Sequence, residues 1–348
     1  MKNDVFKIAT LVVIFLLIIG FLVLRSRPLE KYRERNEMGK EVITIDVCID
    51  QGTDTKMTAR KLDDFWQKMR DIYTRMSNFI DDSDVGRINR SYRAPQKVGE
   101  DTIEVLNHAF RYKEMTKGAF DVTVRSIMEV WWKAQKENRL PTAEELAAAK
   151  ATARLSSVKI LLGNRVEIIN PGTKVDLGGI ATGFALDEAV KVLHKHGIRD
   201  FLIDAAGDMY ASGRNCSRKP WTIAIRNPQD KSKIVDVVGV SDLSVSTSGD
   251  YERFYSIQGQ KFSHIINPVT GYPQKGVVSA TVIAPTAMDN DVLATALCIL
   301  EPNEGIGLID SLGKGYASII MAKGSDGQLK IYKSKRYKDY QIGKTIKR

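Results

Sequence analysis

The sequence has few cysteines and histidines, and it lacks the common glycine-rich nucleotide motifs. Its three cysteines, Cys48, Cys216 and Cys298, are widely spaced and include no CxxC pair, which argues against a disulfide framework and against a zinc site. Neither GxGxxG nor a Walker loop occurs, so neither a Rossmann nor a P-loop enzyme is indicated. There are no repeats or low-complexity segments. Cys298 lies in an apolar stretch and is expected to be a small core residue.

The composition is that of a globular protein with excess positive charge. The 348 residues are 43% apolar and 27% charged, which argues against disorder. The formal charge of +10 lies largely at the two ends of the chain. Because no nucleic-acid motif is present, a membrane surface or an acidic partner is favoured over nucleic acid. A solvated basic tail without any partner is the alternative.

The N-terminus carries an uncharged apolar run of 17 residues, Ile8 to Leu24, preceded by two lysines. No small-x-small cleavage site follows, so residues 1–24 are interpreted as an uncleaved signal-anchor that forms one transmembrane helix. The arginines after the run favour a cytoplasmic body by the positive-inside rule. The remaining chain is divided into a charged linker over 25–37, a main domain over 38–330 and a basic tail over 331–348.

Hydrophobic periodicity predicts helices first and strands later. An i, i+3, i+4 pattern from Leu62 to Met76 predicts a helix, and Asp101–Lys117 predicts another that begins at Asp101 or Thr102. Thr142 and Glu145 form a predicted capping box. Strands are predicted at 41–50, 174–177 and 201–204, at a 158–169 hairpin, and through most of the chain beyond residue 220. The fold class is therefore α+β, a mixed, mostly antiparallel sheet flanked by helices.

A strand-to-helix segment, residues 175–183, contains a glycine pair at Gly178 and Gly179. Glycines let a backbone approach a phosphate closely, and a helix N-terminus supplies N–H donors. A tight strand–helix turn without any ligand is the other interpretation. Residues 118–123, 205–210 and 246–251 each place an aspartate in or beside a predicted turn, which is weak on its own because aspartate commonly forms turns.

Two segments in the C-terminal third contain the strongest candidates for catalytic and metal-binding residues. His264 lies at a predicted strand end just before a Pro/Gly turn over 267–273, where active-site residues concentrate. Asp291 and Thr295 lie at i and i+4 on one face of a predicted helix, a pair of hard oxygens that suits Mg²⁺. The alternatives are a structural histidine, and a helix charge beside a threonine that bonds to its own helix.

Taken together and in this order, these segments resemble the ApbE family, the FAD:protein FMN transferases. The resemblance covers about residues 36 to 330, and it includes Met38-Gly39, Gly118–Thr123, Asp176–Gly183, Ser263–Pro273 and Asp291–Thr295. It implies an ApbE/T-fold-like domain that cleaves FAD at its pyrophosphate. FMN would be attached by a phosphoester bond to a Thr or Ser of an acceptor protein, and AMP would be released.

The resemblance also implies the roles of individual residues. Mg²⁺ would be held by Asp291, Thr295 and the backbone carbonyl of Gly179, and His264 would lie near the acceptor hydroxyl, with His264 and Asp291 as the catalytic residues. The implied FAD contacts are Met38, Phe79, Ala119, Phe120, Asp121, Asp176, Thr182 and Ile265. Thr182 stands where many relatives have lysine, Asn267 where they have aspartate, and Ala206 where glycine is usual.

The expected partners are FAD and acceptor proteins with a D-x-x-(S/T)-G-(A/S)-T type motif, such as membrane electron-transport subunits. The protein is expected at the cytoplasmic membrane with its catalytic domain on the periplasmic side, which conflicts with the positive-inside rule. Two other functions are compatible with the same residues. One is an FAD pyrophosphatase that uses water as the acceptor, and the other is a non-catalytic flavin-binding protein at the membrane.

Overall fold

The computed structural model describes residues 28–39, 41–230, 232–250, 254–324 and 327–343, together with Ile14. In these ranges no helix has the length and apolar character needed to cross a bilayer. Apart from Ile14, the predicted anchor at 1–24 lies outside the described residues and stays a prediction.

The elements come in the order strands, helices, then mainly strands, as the α+β prediction requires. The strands are β1 Leu29–Met38, β2 Glu41–Asp50, β3 Gln96–Lys97, β4 Val158–Leu161, β5 Arg165–Ile168, β6 Phe201–Ala205, β7 Asp208–Ser212, β8 Trp221–Arg226, β9 Ile234–Val240, β10 Leu243–Gly249, β11 Phe254–Ile257, β12 Gln260–Ser263, β13 Val277–Ala284, β14 Ala317–Lys323 and β15 Leu329–Lys333. The helices are α1 Thr55–Met76, α2 Asp84–Arg90, α3 Glu100–Met115, α4 Arg125–Lys136, α5 Ala143–Thr152, α6 Ala181–Lys195, α7 Ala287–Leu297 and α8 Pro302–Leu312.

One large sheet organises the molecule. Its eight strands lie in the order β1-β2-β6-β7-β10-β13-β14-β15. Every strand pairing within the described residues is antiparallel. The predicted antiparallel character is therefore confirmed, and the prediction that the sheet also contains parallel pairs is wrong. Helices α1, α6 and α7 bury their apolar faces against one another and this sheet. The β8–β9 hairpin and the C-terminal residues form a second core cluster with β14.

The segment interpreted as a charged linker is largely an edge strand. Leu29–Met38 pairs with Glu41–Asp50 over ten residue pairs. Its charged side chains alternate with partly buried ones, as on a strand that is half exposed. Arg33 Nη2 lies 2.7 Å from Asp46 Oδ2 on the neighbouring strand. Charges on an edge strand discourage pairing with other chains. Because these charges interrupt the apolar pattern of a strand, the sequence alone indicates a linker.

The segment interpreted as a basic tail begins as the opposite edge strand. Leu329–Lys333 pairs with Ala317–Lys323, and Tyr337 is fully buried in the second core cluster. Lys333 Nζ lies 2.7 Å from Asp236 Oδ2, a carboxylate that also accepts hydrogen bonds from Gln341. Residues 331–343 are therefore part of the folded domain, and only 344–348 lie outside the described residues.

A predicted helix start is confirmed where the capping side chain hydrogen-bonds to its own helix. Thr142 and Glu145 form the predicted capping box at the start of α5. In contrast, α3 begins at Glu100 after Gly99, and not at Asp101 or Thr102. The reason is that Thr102 is fully buried and its hydroxyl donates to Asp84 Oδ2 at 2.6 Å. Its side chain therefore serves a tertiary contact instead of a cap.

The predicted strand over 174–177 is absent, although this segment is extended. Its backbone makes single, unrepeated hydrogen bonds in place of a ladder. Val175 N donates to Asn89 Oδ1 at 2.6 Å, and Asp176 N donates to Val122 O at 2.7 Å. The segment therefore runs as a loop that buries Val175 and Leu177 in the core and leaves Lys174 and Asp176 partly exposed.

A disulfide joins Cys48 to Cys216, contrary to the expectation from spacing. The two residues lie 168 positions apart, and no local pattern marks them as partners. The bond links β2 to the loop between β7 and β8. Cys298 is a buried thiol in the core, as predicted.

Ala206 adopts a left-handed conformation with φ of +54° in the turn between β6 and β7. A side chain costs about 1–2 kcal/mol in that region, and glycine avoids the cost. We therefore expect Ala206→Gly to raise the free energy of unfolding by about 1 kcal/mol in denaturant titrations. Ala205→Gly, one residue earlier in a buried strand, should lower it. Equal destabilisation by both variants would contradict this account of the turn.

Candidate active site

The two predicted oxygen ligands lie one turn apart on α7, as the sequence indicated. Asp291 is buried, and Gly183 N donates to its Oδ2 at 3.3 Å. The start of α7 is fixed by the Asp187 carboxylate on α6, which accepts from Ala287 N at 2.7 Å and Met288 N at 3.0 Å. These contacts hold the two helices in register, so Asp291 faces the start of α6.

The glycine turn before α6 lies against the same face of α7. A Cβ atom on Gly179 would lie 3.7 Å from Thr295 Oγ1 and 3.3 Å from Phe120 Cε2. A Cβ on Gly183 would clash with the backbone of Ala287. The glycines therefore allow a close approach of the two backbones, and they bring Gly179, Thr295 and Phe120 together.

The Asp291 carboxyl is buried close to other carboxylates. Burial raises the pKa of Asp291 well above its usual value, and the nearby carboxylates of Asp208 and Glu41 raise it further. The described residues form no ion pair with it, and they contain no group of three or more His, Cys, Asp or Glu side chains arranged around a metal. A buried carboxylate, a hydroxyl and a carbonyl are hard oxygens, which fit a single Mg²⁺ that keeps water and phosphate ligands.

The predicted FAD contacts at 119–121 follow the end of α3. Asp121 is buried, and its Oδ1 accepts hydrogen bonds from Thr123 N at 2.9 Å and Thr123 Oγ1 at 2.7 Å. Lys113 Nζ lies 2.6 Å from Asp121 Oδ2. Phe120 packs edge-on against Tyr112 with ring centroids 6.4 Å apart. The segment is thus held rigidly, and both Ala119 and Phe120 are buried.

An arginine–aromatic cluster flanks Asp176. Arg125 Nη1 lies 3.3 Å from Asp176 Oδ2, and its guanidinium carbon lies 4.2 Å from the Trp132 ring centroid. The same guanidinium lies 5.9 Å from the ring of Phe79, which is 82% exposed. Gly178 N donates to Asp176 Oδ1 at 2.8 Å, so the cluster connects to the glycine turn. An exposed, flat aromatic ring beside a held cation suits a flavin ring.

His264 follows β12 and precedes a closed turn. Ile265 O accepts from Gln274 N at 2.9 Å, and Asn267 N donates to Tyr272 O at 2.9 Å. Asn267 Oδ1 accepts from Val269 N at 2.8 Å, so an amide oxygen forms this turn. His264 is half-buried, which leaves part of its ring accessible to solvent.

Three comparisons with known proteins bear on this arrangement. The sequence model of the ApbE family matches residues 42–320. The chain belongs to the ApbE family. The resemblance inferred from the motifs is therefore confirmed.

Individual relatives agree with the family match. An FAD:protein FMN transferase of Haemophilus influenzae is 30% identical over 268 residues, which cover 74% of this chain and 78% of the relative. The crystal structure of the ApbE protein from Thermotoga maritima has a TM-score of 0.79 at 30% identity and covers 90% of this chain and 100% of that one. The flavin transferase ApbE from Vibrio cholerae has a TM-score of 0.76 at 29% identity, with the same coverage.

Several of the site residues predicted from the sequence lie near one another, and we call the region around them the cleft. Gly179 lies beside Thr295 and Phe120, and Arg125 contacts both Asp176 and Phe79. Thr182 lies in the first turn of α6 next to Gly183. Ile265 packs in the core cluster that contains α7 residues. Met38 ends β1 opposite Glu41, whose charge acts on Asp291.

Sequence reasoning missed several residues of this site. Arg125 and Trp132 were not singled out, although they begin and line the helix that follows the Phe120-Asp121 segment. Asp187, which fixes the start of α7, was read only as part of a helix. A signal was available for Arg125, because an arginine four residues from Glu129 at a helix start is placed to hold two carboxylates.

Proposed function

We propose that this protein is an FAD:protein FMN transferase that attaches FMN through a phosphoester bond to Thr or Ser of acceptor redox proteins. The observation that carries this proposal is that Asp291 and Thr295 on α7 lie close to the turn and helix start formed by residues 178–183, and that Phe120 lies beside the same turn. Asp291 and Thr295, which would bind a metal on the pyrophosphate, lie near Gly183 and Gly179, and Gly179 lies near Phe120, an expected contact of the dinucleotide. The homologues named FAD:protein FMN transferase support the same activity.

The reaction is a displacement at the phosphorus atom that FMN retains. The acceptor hydroxyl oxygen forms a new bond to this phosphorus while the bond to the oxygen of AMP breaks. AMP leaves with the electron pair of that bond, and the hydroxyl proton passes to His264. A threonine hydroxyl is a poor nucleophile near neutral pH, and a positioned base contributes about 10²–10⁴-fold. Positioning and charge neutralisation account for most of the remaining acceleration in such reactions.

Asp291, Thr295 and the carbonyl of Gly179 would hold Mg²⁺. When bound, this ion would neutralise negative charge that develops on the pyrophosphate oxygens. The chain itself supplies the positioning. The glycine turn leads into the N-terminus of α6, and a helix N-terminus favours phosphate through its dipole. Gly183 approaches α7 closely enough to keep this helix start and Asp291 together.

Arg125 is expected to bind the flavin end of FAD. It offers positive charge beside Asp176 at a site where Thr182 supplies none. We expect Arg125→Gln to weaken the affinity for FAD and for FMN by about 5- to 30-fold, because cation–π and ion-pair contacts are typically worth about 1–2 kcal/mol. The affinity for AMP should not change. Flavin fluorescence quenching and calorimetry measure these affinities.

Arg139→Gln is the matched control, since Arg139 also contacts two carboxylates, Glu137 and Glu145, but lies outside the cleft. It should leave all three affinities unchanged. A loss of AMP affinity in Arg125→Gln equal to the loss of FMN affinity would place Arg125 at the phosphates instead of the flavin ring.

The proposed activity is tested by incubating the protein with FAD, Mg²⁺ and a peptide that bears the D-x-x-(S/T)-G-(A/S)-T motif. A transferase adds the mass of FMN, less one water, to the peptide and releases AMP. A pyrophosphatase releases free FMN and AMP and leaves the peptide mass unchanged. A protein that only binds flavin leaves FAD intact. Either of the last two results would refute the proposal.

We also infer an anchored protein whose catalytic domain lies outside the cytoplasm. The apolar run at 8–24 supports the anchor, and the Cys48–Cys216 disulfide supports an oxidising compartment, where such bonds persist. The arginines after the run oppose this orientation. Membrane electron-transport subunits would then be accessible acceptors. A C-terminal tag that stays protected from protease in intact spheroplasts would overturn the external location.

A further inference from the structure

A cavity of about 600 Å³ is lined by Ser263, the residue before His264, and we call it the lysine groove. It is bounded by the β11–β12 hairpin, the turn before β13 and the end of β14. Its lining includes Lys261, Ser263, Gln274, Lys275 and Lys323. None of the predicted metal ligands or FAD contacts lines this groove. It is therefore separate from the flavin cleft, although Ser263 directly precedes His264.

The groove contains a buried polar atom with no partner. Gln274 is 7% exposed, and its Nε2 donates to Val277 O at 2.9 Å. Its Oε1 accepts no hydrogen bond from any described residue. A buried acceptor without a donor costs free energy, and native proteins rarely leave one unused. This oxygen is itself shielded from solvent, so the recognition of a segment in the groove rests on the charges at its surface.

Among the described residues that line the groove, lysines outnumber carboxylates. Lys261, Lys275 and Lys323 are exposed at it, and Asp250 is the carboxylate among its lining residues. Lys261 Nζ lies 4.3 Å from the Phe254 ring centroid, which holds this ammonium group on the wall of the groove. An arrangement of three lysines and one aspartate attracts a segment that carries acidic side chains.

The position of the groove suits the incoming alcohol. In a phosphoryl displacement the attacking and leaving oxygens lie roughly in line on opposite sides of phosphorus. An acceptor segment must therefore approach His264 by a path that the dinucleotide does not occupy. The lysine groove reaches Ser263, the residue before His264, without using any predicted FAD contact.

We propose that the lysine groove docks an extended segment of the acceptor protein, with an acidic side chain of that segment held by the lysines. The aspartate of the expected acceptor motif, three residues before the Thr or Ser, has the right charge for this role. The inference rests on the proposed transferase function and adds the recognition of its protein substrate.

The test uses a fluorescent peptide with the acceptor motif and the single variants Lys261→Glu, Lys275→Glu and Lys323→Glu of the full chain. Charge reversal should weaken peptide binding by anisotropy, and raise KM for the peptide, by about 5- to 10-fold for at least two of the three variants. The effect should shrink at high salt, because exposed charges are screened. FAD affinity should stay unchanged in every variant. A peptide with its aspartate changed to lysine should recover affinity for Lys275→Glu.

Lys159→Glu, an exposed lysine on β4, is the matched control and should behave as the unmodified protein. Binding of the peptide that is absent, or equal in all variants, would overturn the groove as the docking site. Reversals that weaken FAD binding as much as peptide binding would also overturn it, since the groove would then belong to the dinucleotide. Peptide that binds with the expected charge dependence but never gains FMN would refute the transferase function and leave the docking site standing.

Discussion

Replacing Asp291 by asparagine is expected to abolish Mg²⁺-dependent cleavage of FAD. The change keeps the shape of the side chain and removes the carboxylate that faces the glycine turn. Because a catalytic metal typically supplies several kcal/mol, and about 1.4 kcal/mol corresponds to a factor of ten, the rate should fall by about 10²–10³-fold or more. The loss is measured by chromatographic detection of the AMP released from FAD in reactions at several Mg²⁺ concentrations.

The same variant has a readout that does not depend on activity. In metal-free buffer, Asp291→Asn should unfold at a temperature equal to or above that of the unmodified protein, because it removes a buried carboxyl whose ionisation is opposed by burial and by Asp208 and Glu41. Added Mg²⁺ should raise the unfolding temperature of the unmodified protein and leave that of Asp291→Asn unchanged, since only the former binds the ion.

Asp71→Asn, the same chemical change at an exposed position of α1, is the control and should respond to Mg²⁺ normally. Equal stabilisation of Asp291→Asn and the control by Mg²⁺ would refute the metal assignment. So would undiminished cleavage of FAD by Asp291→Asn. The two readouts together separate a lost metal site from a protein that has failed to fold.

Local features of the site could be read from the sequence because they depend on short-range geometry. The i, i+4 spacing of Asp291 and Thr295 fixes them on one face of any helix, and the structure places them there. Thr142 and Glu145 likewise needed only three residues of context. The placement of His264 before a turn followed from the Pro and Gly residues after it.

Features that depend on the tertiary fold could not be read in this way. The Cys48–Cys216 bond spans 168 residues and forms because β2 and the loop after β7 meet in space. The strand at Leu29–Met38 reads as a linker because its charges belong to a sheet edge that exists only after folding. The negative charges of Glu41 and Asp208 act on Asp291 across three separate elements. Local sequence patterns do not indicate such contacts between distant segments of the chain.

The departures from the family pattern become understandable in the structure. Asn267 keeps the turn, because an amide oxygen accepts the same backbone N–H groups that a carboxylate would. Thr182 lies in the first turn of α6, and Arg125 brings a positive charge to Asp176, just before the glycine turn.

Replacing His264 by alanine is expected to separate binding from transfer. FAD affinity and its Mg²⁺ dependence should stay unchanged, because the predicted FAD contacts and metal ligands are other residues. Transfer of FMN to the acceptor peptide should fall by about 10²–10⁴-fold, the usual contribution of a general base. Intact mass of the peptide measures transfer, and flavin fluorescence quenching measures affinity. The loss should appear in kcat, with KM for the peptide unchanged, since a proton acceptor acts in the transition state.

His196→Ala is the matched control for this experiment. His196 lies at the end of α6, where its Nε2 contacts Asp64 at 2.7 Å, so the same deletion of an imidazole occurs away from the cleft. It should transfer FMN at the normal rate. Raising the pH should partly restore transfer by His264→Ala, because hydroxide and ionised alcohol replace a missing base. If His264→Ala transfers FMN as fast as His196→Ala, the imidazole only shapes the turn, and proton removal must be assigned to another group.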